Sequence, residues 1–157
     1  DLDPGLVTYL LRTQHLSAEE WNTLVTHESG LLGVSETSSD MRDLISRATT
    51  DERAAEAIAL FCYQVKKWIG AYAAALGGLD AVVFAGGIGE HCPTIRASIC
   101  EGLGFLGVQL DPISNAASAD FISAATSSTT VRVMHTEEEL MIARAVTGMS
   151  ENGADLK

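Results

Sequence analysis

The stretch Asp80-Ala-Val-Val-Phe-Ala-Gly-Gly-Ile-Gly-Glu-His91 is the most informative part of the sequence, because it joins an apolar run to a glycine-rich turn. Residues 81–85 predict a short buried strand. Three glycines and a polar pair, Glu90 and His91, come next, and Pro93 opens a predicted helix. Glycine lacks a Cβ atom, so a phosphate or sugar can lie against such a turn. The stretch therefore predicts either a ligand-binding turn or simply a tight strand-to-helix connection.

Two familiar phosphate-binding patterns are excluded. No Gly-Lys-Ser/Thr follows the glycines, so the turn is not a P-loop. The spacing also differs from the G-x-G-x-x-G fingerprint of dinucleotide-binding proteins.

Composition indicates a globular protein with a core of its own. Of the 157 residues, 46% are hydrophobic and 20% charged, and the net charge is −11. Such an acidic chain argues against nucleic-acid or anionic-membrane surfaces, which need clustered Lys and Arg, but it does not exclude ATP bound with Mg²⁺. No signal peptide or membrane-length apolar run is present, and the unpaired spacing of Cys62, Cys92 and Cys100 favours thiols in a reducing cytoplasm over a zinc site.

Helical periodicity and capping residues predict a helix-rich α/β class. The predicted strands cover residues 81–85, 105–110, 121–123 and 131–134, and none lies in the first 79 residues. Residues 31–39 are predicted to be a loop. The chain starts at Asp1 rather than Met, so we expect a fragment, a cleavage product or a trimmed chain whose missing strands lie upstream. Predicted helices cover residues 4–11, 17–28, 40–45, 51–76, 93–102, 113–119 and 137–146. Ser17 and Glu20 predict a capping box for the second of these. Its predicted buried face is Trp21, Leu24 and Val25, and the predicted inward face of the helix at 93–102 is Ile95, Ile99 and Cys100.

Three polar clusters are candidates for a shared pocket: residues 38–42, 86–91 and 135–139. The second and third each follow a predicted strand, and ligands bind at the carboxyl ends of strands in open α/β sheets. Structural interpretations stand beside the functional ones. Asp40 also suits a helix cap, with Ser38 or Ser39 as the alternative cap, and Arg42 suits a solvated position at the helix start. Residues 137–139 suit a helix dipole, and His91 suits a surface position.

In this order, the three clusters resemble the C-terminal part of the acetate kinase family. That family carries Ser-Ser-Asp-Met-Arg-Asp, then Val-Phe-Thr-x-Gly-Ile-Gly-Glu-Asn, then Pro-Thr-Asn-Glu-Glu-Leu. The chain has matching stretches at residues 38–43, 83–91 and 135–140. Shorter matches at residues 1–5, 29–33, 69–72 and 100–103 extend the resemblance over nearly the whole sequence.

The resemblance implies part of the C-terminal domain of an actin-like, ribonuclease H-like ATPase fold, with a short and incomplete sheet. It implies reversible phosphorylation of acetate by ATP, a homodimer, and Mg²⁺ or Mn²⁺ held at Glu138. Propionate kinase shares these motifs and is the alternative, together with a non-catalytic nucleotide-binding or dimerisation module. The implied nucleotide-binding residues are Asp40, Met41, Arg42, Gly87, Ile88, Gly89, Glu90 and His91.

Several positions depart from the family pattern. His91 and Glu137 replace Asn, His135 replaces Pro, and Ala85 replaces Thr. By the resemblance, the catalytic residues lie upstream, so we expect residues 1–149 to be part of the nucleotide-binding domain and to be inactive alone. Residues 150–157 are predicted to be a flexible tail.

Overall fold

A computed structural model describes residues 2–137 together with Met141 and Ala143. The chain divides into two compact units, Asp1–Ile69 and Gly70–Lys157, and the division falls within one long helix. The predicted tail, and most of the predicted last helix, lie outside the described residues. Among the described residues, no helix is both long and apolar enough to cross a bilayer.

The regular secondary structure described in the first unit is helical. Its side chains supply the predicted caps: the Asp3 carboxylate accepts from the Gly5 N–H, and Ser17 and Glu20 form a reciprocal capping box. A π-helical turn, Leu24–Glu28, continues the second helix. The helices are α1 (Pro4–Thr13), α2 (Ala18–Thr23), α3 (Gly30–Ser35), α4 (Met41–Arg47) and α5 (Glu52–Leu76), of which α5 continues into the second unit.

Two predictions for this unit are wrong. Residues 30–35 form helix α3 instead of a loop, because Leu31 and Val34 pack against a buried cluster around Leu44 and Ala57. Val25, predicted to be buried, is 41% exposed. At α3, packing with residues distant in sequence decides the outcome, and local pattern does not.

The second unit contains a two-stranded parallel sheet. Strand β1 (Ala81–Phe84) pairs with β2 (Thr130–Val133), with Val82 opposite Val131 and Phe84 opposite Val133. Three helices lie between the strands along the chain: α6 (Gly86–His91), α7 (Pro93–Cys100) and α8 (Pro112–Ala116). The predicted inward face of α7, Ile95, Ile99 and Cys100, is buried.

The other two predicted strands are not strands. Residues 104–106 form a short 3-10 helix, and residue Leu110 only bridges to Ser123. Phe121 likewise makes a single antiparallel bridge, to Arg132 on β2. The three cysteines form no disulfide and are buried, and burial raises the pKa of the Cys62 thiol.

Candidate functional site

The carboxyl ends of the two strands meet at one edge of the sheet. Phe84 and Val133 are register partners at those ends, and the Met134 N–H donates to the Phe84 carbonyl at 2.8 Å. The segments that follow, α6 after β1 and residues 134–137 after β2, therefore start side by side. The second polar cluster and residues 135–137 of the third therefore lie at one edge of the sheet, as predicted.

The glycine turn is itself a short helix, and its glycines serve different purposes. Gly86 has φ = 70°, in the left-handed region where a Cβ is strained. A Cβ on Gly89 would lie 3.2 Å from the Phe84 carbonyl carbon, so α6 packs closely on β1. Gly87 has neither constraint, because a Cβ there would meet nothing within 4 Å. Its surface is open to an approaching ligand.

The Glu90 carboxylate joins the two segments. One oxygen, Oε1, accepts from the Gly86 N–H at 3.0 Å and from both the N–H and the hydroxyl of Thr136 at 2.9 Å. The other, Oε2, lies 2.5 Å from His135 Nδ1. The Thr136 and Gly86 donors and the nearby imidazole hold the pKa of Glu90 below its ordinary value, so the carboxylate is ionised near neutral pH. Glu90 is 5% exposed, which makes it a positioning group within the edge.

Arg96 on α7 holds the same turn from the inside, and the sequence reasoning missed it. The side chain is fully buried, and its Nη1 donates to the carbonyls of Gly89 at 2.7 Å and Glu90 at 2.9 Å. The remaining N–H groups donate to Asn115 Oδ1, the Asn115 carbonyl and the Ser118 hydroxyl. All five guanidinium donors are thus satisfied.

A charged partner for Arg96 is not found among the described ion pairs, and burial lowers its pKa. One signal in the sequence pointed to it. Arg96 precedes Ile99 and Cys100 by three and four positions, so helical spacing places it on their buried face.

His91 and His135 lie on the solvent-exposed side of this edge of the sheet. His91 is the last residue of α6, and His135 is the second residue after β2. Both are exposed, and their ring centroids lie 6.2 Å apart at an interplanar angle of 55°. The predicted surface position of His91 is confirmed.

The predicted metal position lies outside the described residues, since Glu138 is not among them. Glu137 is exposed, and its carbonyl accepts from the Met141 N–H at 3.0 Å. Over the described part of the chain, no group of three or more His, Cys, Asp or Glu side chains gathers where an ion could bind.

The first polar cluster belongs to the other unit and is described by itself. Asp40, rather than Ser38 or Ser39, is the N-cap of α4: it accepts from the Arg42 N–H at 2.8 Å. Its other oxygen pairs with Arg42 Nη2 at 2.7 Å, and these contacts lower the pKa of Asp40 to about 2. The Arg42 side chain is exposed, whereas Met41 between them is buried at 3% exposure.

Solved structures of small-carboxylate kinases share this fold. A crystal structure of Porphyromonas gingivalis acetate kinase superposes with a TM-score of 0.85 at 39% identity, over 94% of this chain and 38% of that one. A propionate kinase from Francisella tularensis gives 0.83 at 36% identity, over 91% and 37%. The fold class implied by the family resemblance is therefore confirmed as a helix-rich portion of the acetate kinase fold.

The sequence comparisons agree. A chain described as acetate kinase from Rhodopseudomonas palustris (strain TIE-1) is 50% identical over 155 residues, which cover 98% of this chain and 38% of the relative. The sequence model of the acetokinase family matches residues 1–144. The chain belongs to the acetokinase family, and it spans a little over a third of the length of these relatives.

Proposed function

We propose that the chain supplies the nucleotide-binding part of a kinase that transfers the γ-phosphoryl group of ATP to a carboxylate oxygen of acetate. The products are acetyl phosphate and ADP, and the reaction is reversible. The observation that carries the proposal is the family match over residues 1–144. The matched range includes α6 and residues 134–137, which follow the carboxyl ends of the two strands. A cytoplasmic homodimer is part of the same proposal.

The edge residues suit phosphoryl chemistry, which depends on positioning and charge stabilisation. The main chain at Gly87 is open to a ligand, and Arg96 and Glu90 hold the turn in place behind it.

The start of α4 in the first unit supplies the other proposed contacts. Arg42 has an exposed guanidinium that Asp40 orients. Met41 is buried, so its part is to anchor α4 beneath its neighbours. The proposed nucleotide-binding residues remain Asp40, Met41, Arg42, Gly87, Ile88, Gly89, Glu90 and His91.

A divalent ion, Mg²⁺ or Mn²⁺, would accompany the nucleotide and neutralise charge on its phosphate oxygens. The donor set near the edge is sparse, because Glu90 already accepts four close contacts from neighbouring groups. Sparse donors fit Mg²⁺, which keeps several waters and binds through one or two carboxylates plus substrate phosphates. Glu138 is the carboxylate proposed to hold it.

The test uses the full-length protein that contains this chain. We expect it to form acetyl phosphate from ATP and acetate, and we expect the 157-residue chain alone not to do so. Arg42→Ala should weaken Mg·ADP binding in calorimetric titration. The matched control, Arg47→Ala, removes an exposed arginine from the same helix, where it pairs with Asp43. If Arg42→Ala binds Mg·ADP as tightly as Arg47→Ala does, Arg42 does not belong to the nucleotide site.

Propionate is the second candidate substrate, favoured by the likeness to the Francisella propionate kinase. The comparison of kcat/KM for acetate and propionate decides between them. A full-length protein that binds Mg·ADP but phosphorylates neither acid would instead support the non-catalytic module.

A further inference from the structure

We propose that His91 and His135 form a binding site for a borderline transition-metal ion, with Zn²⁺ as the representative. The pair bridges the two segments at the edge of the sheet, one residue ending α6 and the other following β2. His91 is also one of the proposed nucleotide-binding residues, but neither the geometry of the histidine pair nor the test of metal binding requires a nucleotide.

The separation of the two rings suits a shared ion. Zn²⁺ binds imidazole nitrogen at about 2.0–2.1 Å, which places the metal roughly 3 Å from each ring centre. Two rings bound to one ion therefore have centroids no more than about 6–6.5 Å apart. The observed 6.2 Å lies just under that limit, which a linear arrangement reaches, and the tetrahedral angle of Zn²⁺ would bring the ring centres closer, to roughly 5 Å. The 55° tilt keeps the rings from stacking on each other. Both side chains are exposed, so small rotations can bring their nitrogens to the ion.

The Glu90 carboxylate contacts the ring of His135 and can orient it for metal binding. Its Oε2 lies 2.5 Å from His135 Nδ1, and its carboxylate is otherwise held by Gly86 and Thr136. A metal-binding histidine characteristically donates its second ring N–H to such a carboxylate, which sets the tautomer and strengthens the ligand. Because Nδ1 of His135 faces Glu90 Oε2, Nε2 is the ring nitrogen left to bind an ion.

The ligand type defines the class of ion. Imidazole suits Zn²⁺, Ni²⁺ and Cu²⁺, whereas Mg²⁺ prefers oxygen ligands. Two histidines leave coordination positions open for water or for a phosphate oxygen. Within the described part of the chain, the two histidines gain no third His, Cys, Asp or Glu ligand.

Zinc titration of the full chain near neutral pH tests the proposal, with calorimetry as the readout. We expect one Zn²⁺ per chain at this site, and affinity at least about tenfold weaker in His91→Asn and in His135→Gln. The control His27→Gln removes an exposed histidine in the other unit and should keep the parent affinity. Excess Mg²⁺ should not displace the zinc.

Copper provides a second measurement that does not depend on affinity. The electron paramagnetic resonance spectrum of bound Cu²⁺ should show two imidazole nitrogens in the parent and one in either variant. Absence of zinc binding, parent-like affinity in either histidine variant, or a single nitrogen in the parent spectrum would each overturn the proposal. Circular dichroism of the variants confirms that the exposed substitutions leave the fold intact.

Discussion

Glu90 accepts two hydrogen bonds from Thr136, at 2.9 Å from the main-chain N–H and 2.9 Å from the hydroxyl. These residues are 46 positions apart in sequence, one in α6 and the other just past β2. The contact ties the two segments that follow the parallel strands into one edge. Any ligand that contacts both segments depends on it.

Glu90→Gln should destabilise the chain near neutral pH, because the amide oxygen can still accept from Thr136 but carries no charge, and an amide NH2 in place of Oε2 cannot accept from His135 Nδ1. The folded-state pKa of Glu90 is lowered, so its contribution to stability is present above the ordinary glutamate pKa and is lost as pH falls through the folded value. The difference in unfolding free energy between the parent and Glu90→Gln should therefore become smaller as the pH falls. Urea unfolding at a series of pH values measures it.

The control for this experiment is Glu56→Gln on α5, where the side chain is exposed. It should leave the unfolding midpoint near that of the parent throughout the series. A Glu90→Gln midpoint that follows the parent at every pH would contradict the bridging role.

Arg96→Leu should cost at least about 3 kcal/mol of unfolding free energy, because buried carbonyls that lose their donor are left unsatisfied. The affected acceptors include Gly89, Glu90 and Asn115. Arg96→Lys keeps the charge but lacks the five-donor fork, so an intermediate loss is expected. Denaturant unfolding measures both changes.

A surface arginine provides the comparison for Arg96. Arg47→Leu removes an exposed i,i+4 pair with Asp43 and should cost no more than about 0.5 kcal/mol. Similar losses in the two leucine variants would mean that burial of Arg96 is not what stabilises the turn.

Local signals in the sequence were sufficient for much of the fold. The apolar run ending at Phe84 and the three- and four-residue stripe of α5 predicted β1 and the longest helix closely. The capping box at Ser17 was also confirmed. Helix α3 was missed because its six residues are too few to show a period, and it is packing of Leu31 and Val34 that stabilises it.

The sequence predicted that polar segments lie at the carboxyl ends of the strands, but it did not predict the hydrogen bonds that hold those segments together. Both polar segments follow strands, and parallel strands bring their carboxyl ends together. The hydrogen bonds that hold the turn join Glu90 to Thr136 and Arg96 to Asn115, which are far apart in sequence. No local spacing encodes such contacts, so sequence pattern can place Arg96 on a buried helix face without showing which groups it binds.

Gly86→Ala and Gly89→Ala should each destabilise the chain, for different reasons. A Cβ at the positive φ of Gly86 costs about 1–2 kcal/mol. At Gly89 the Cβ would lie 3.2 Å from Phe84 main chain, and relief of that crowding costs roughly 1–3 kcal/mol. Denaturant unfolding tests both, and a variant as stable as the parent would show that α6 can shift away from β1 without loss.

Gly87→Ala should separate stability from ligand binding. A Cβ at Gly87 meets nothing within 4 Å and its φ is not positive, so alanine should stabilise α6 by up to about 1 kcal/mol. If the nucleotide lies against this main chain, the same methyl group should weaken Mg·ADP binding in the full-length protein by about tenfold, or roughly 1.4 kcal/mol. The matched control is Gly70→Ala in α5, which also meets nothing within 4 Å and should leave nucleotide affinity unchanged. Because Gly87 has no structural need for glycine among the described residues, parent-like affinity in Gly87→Ala would place the nucleotide away from this turn.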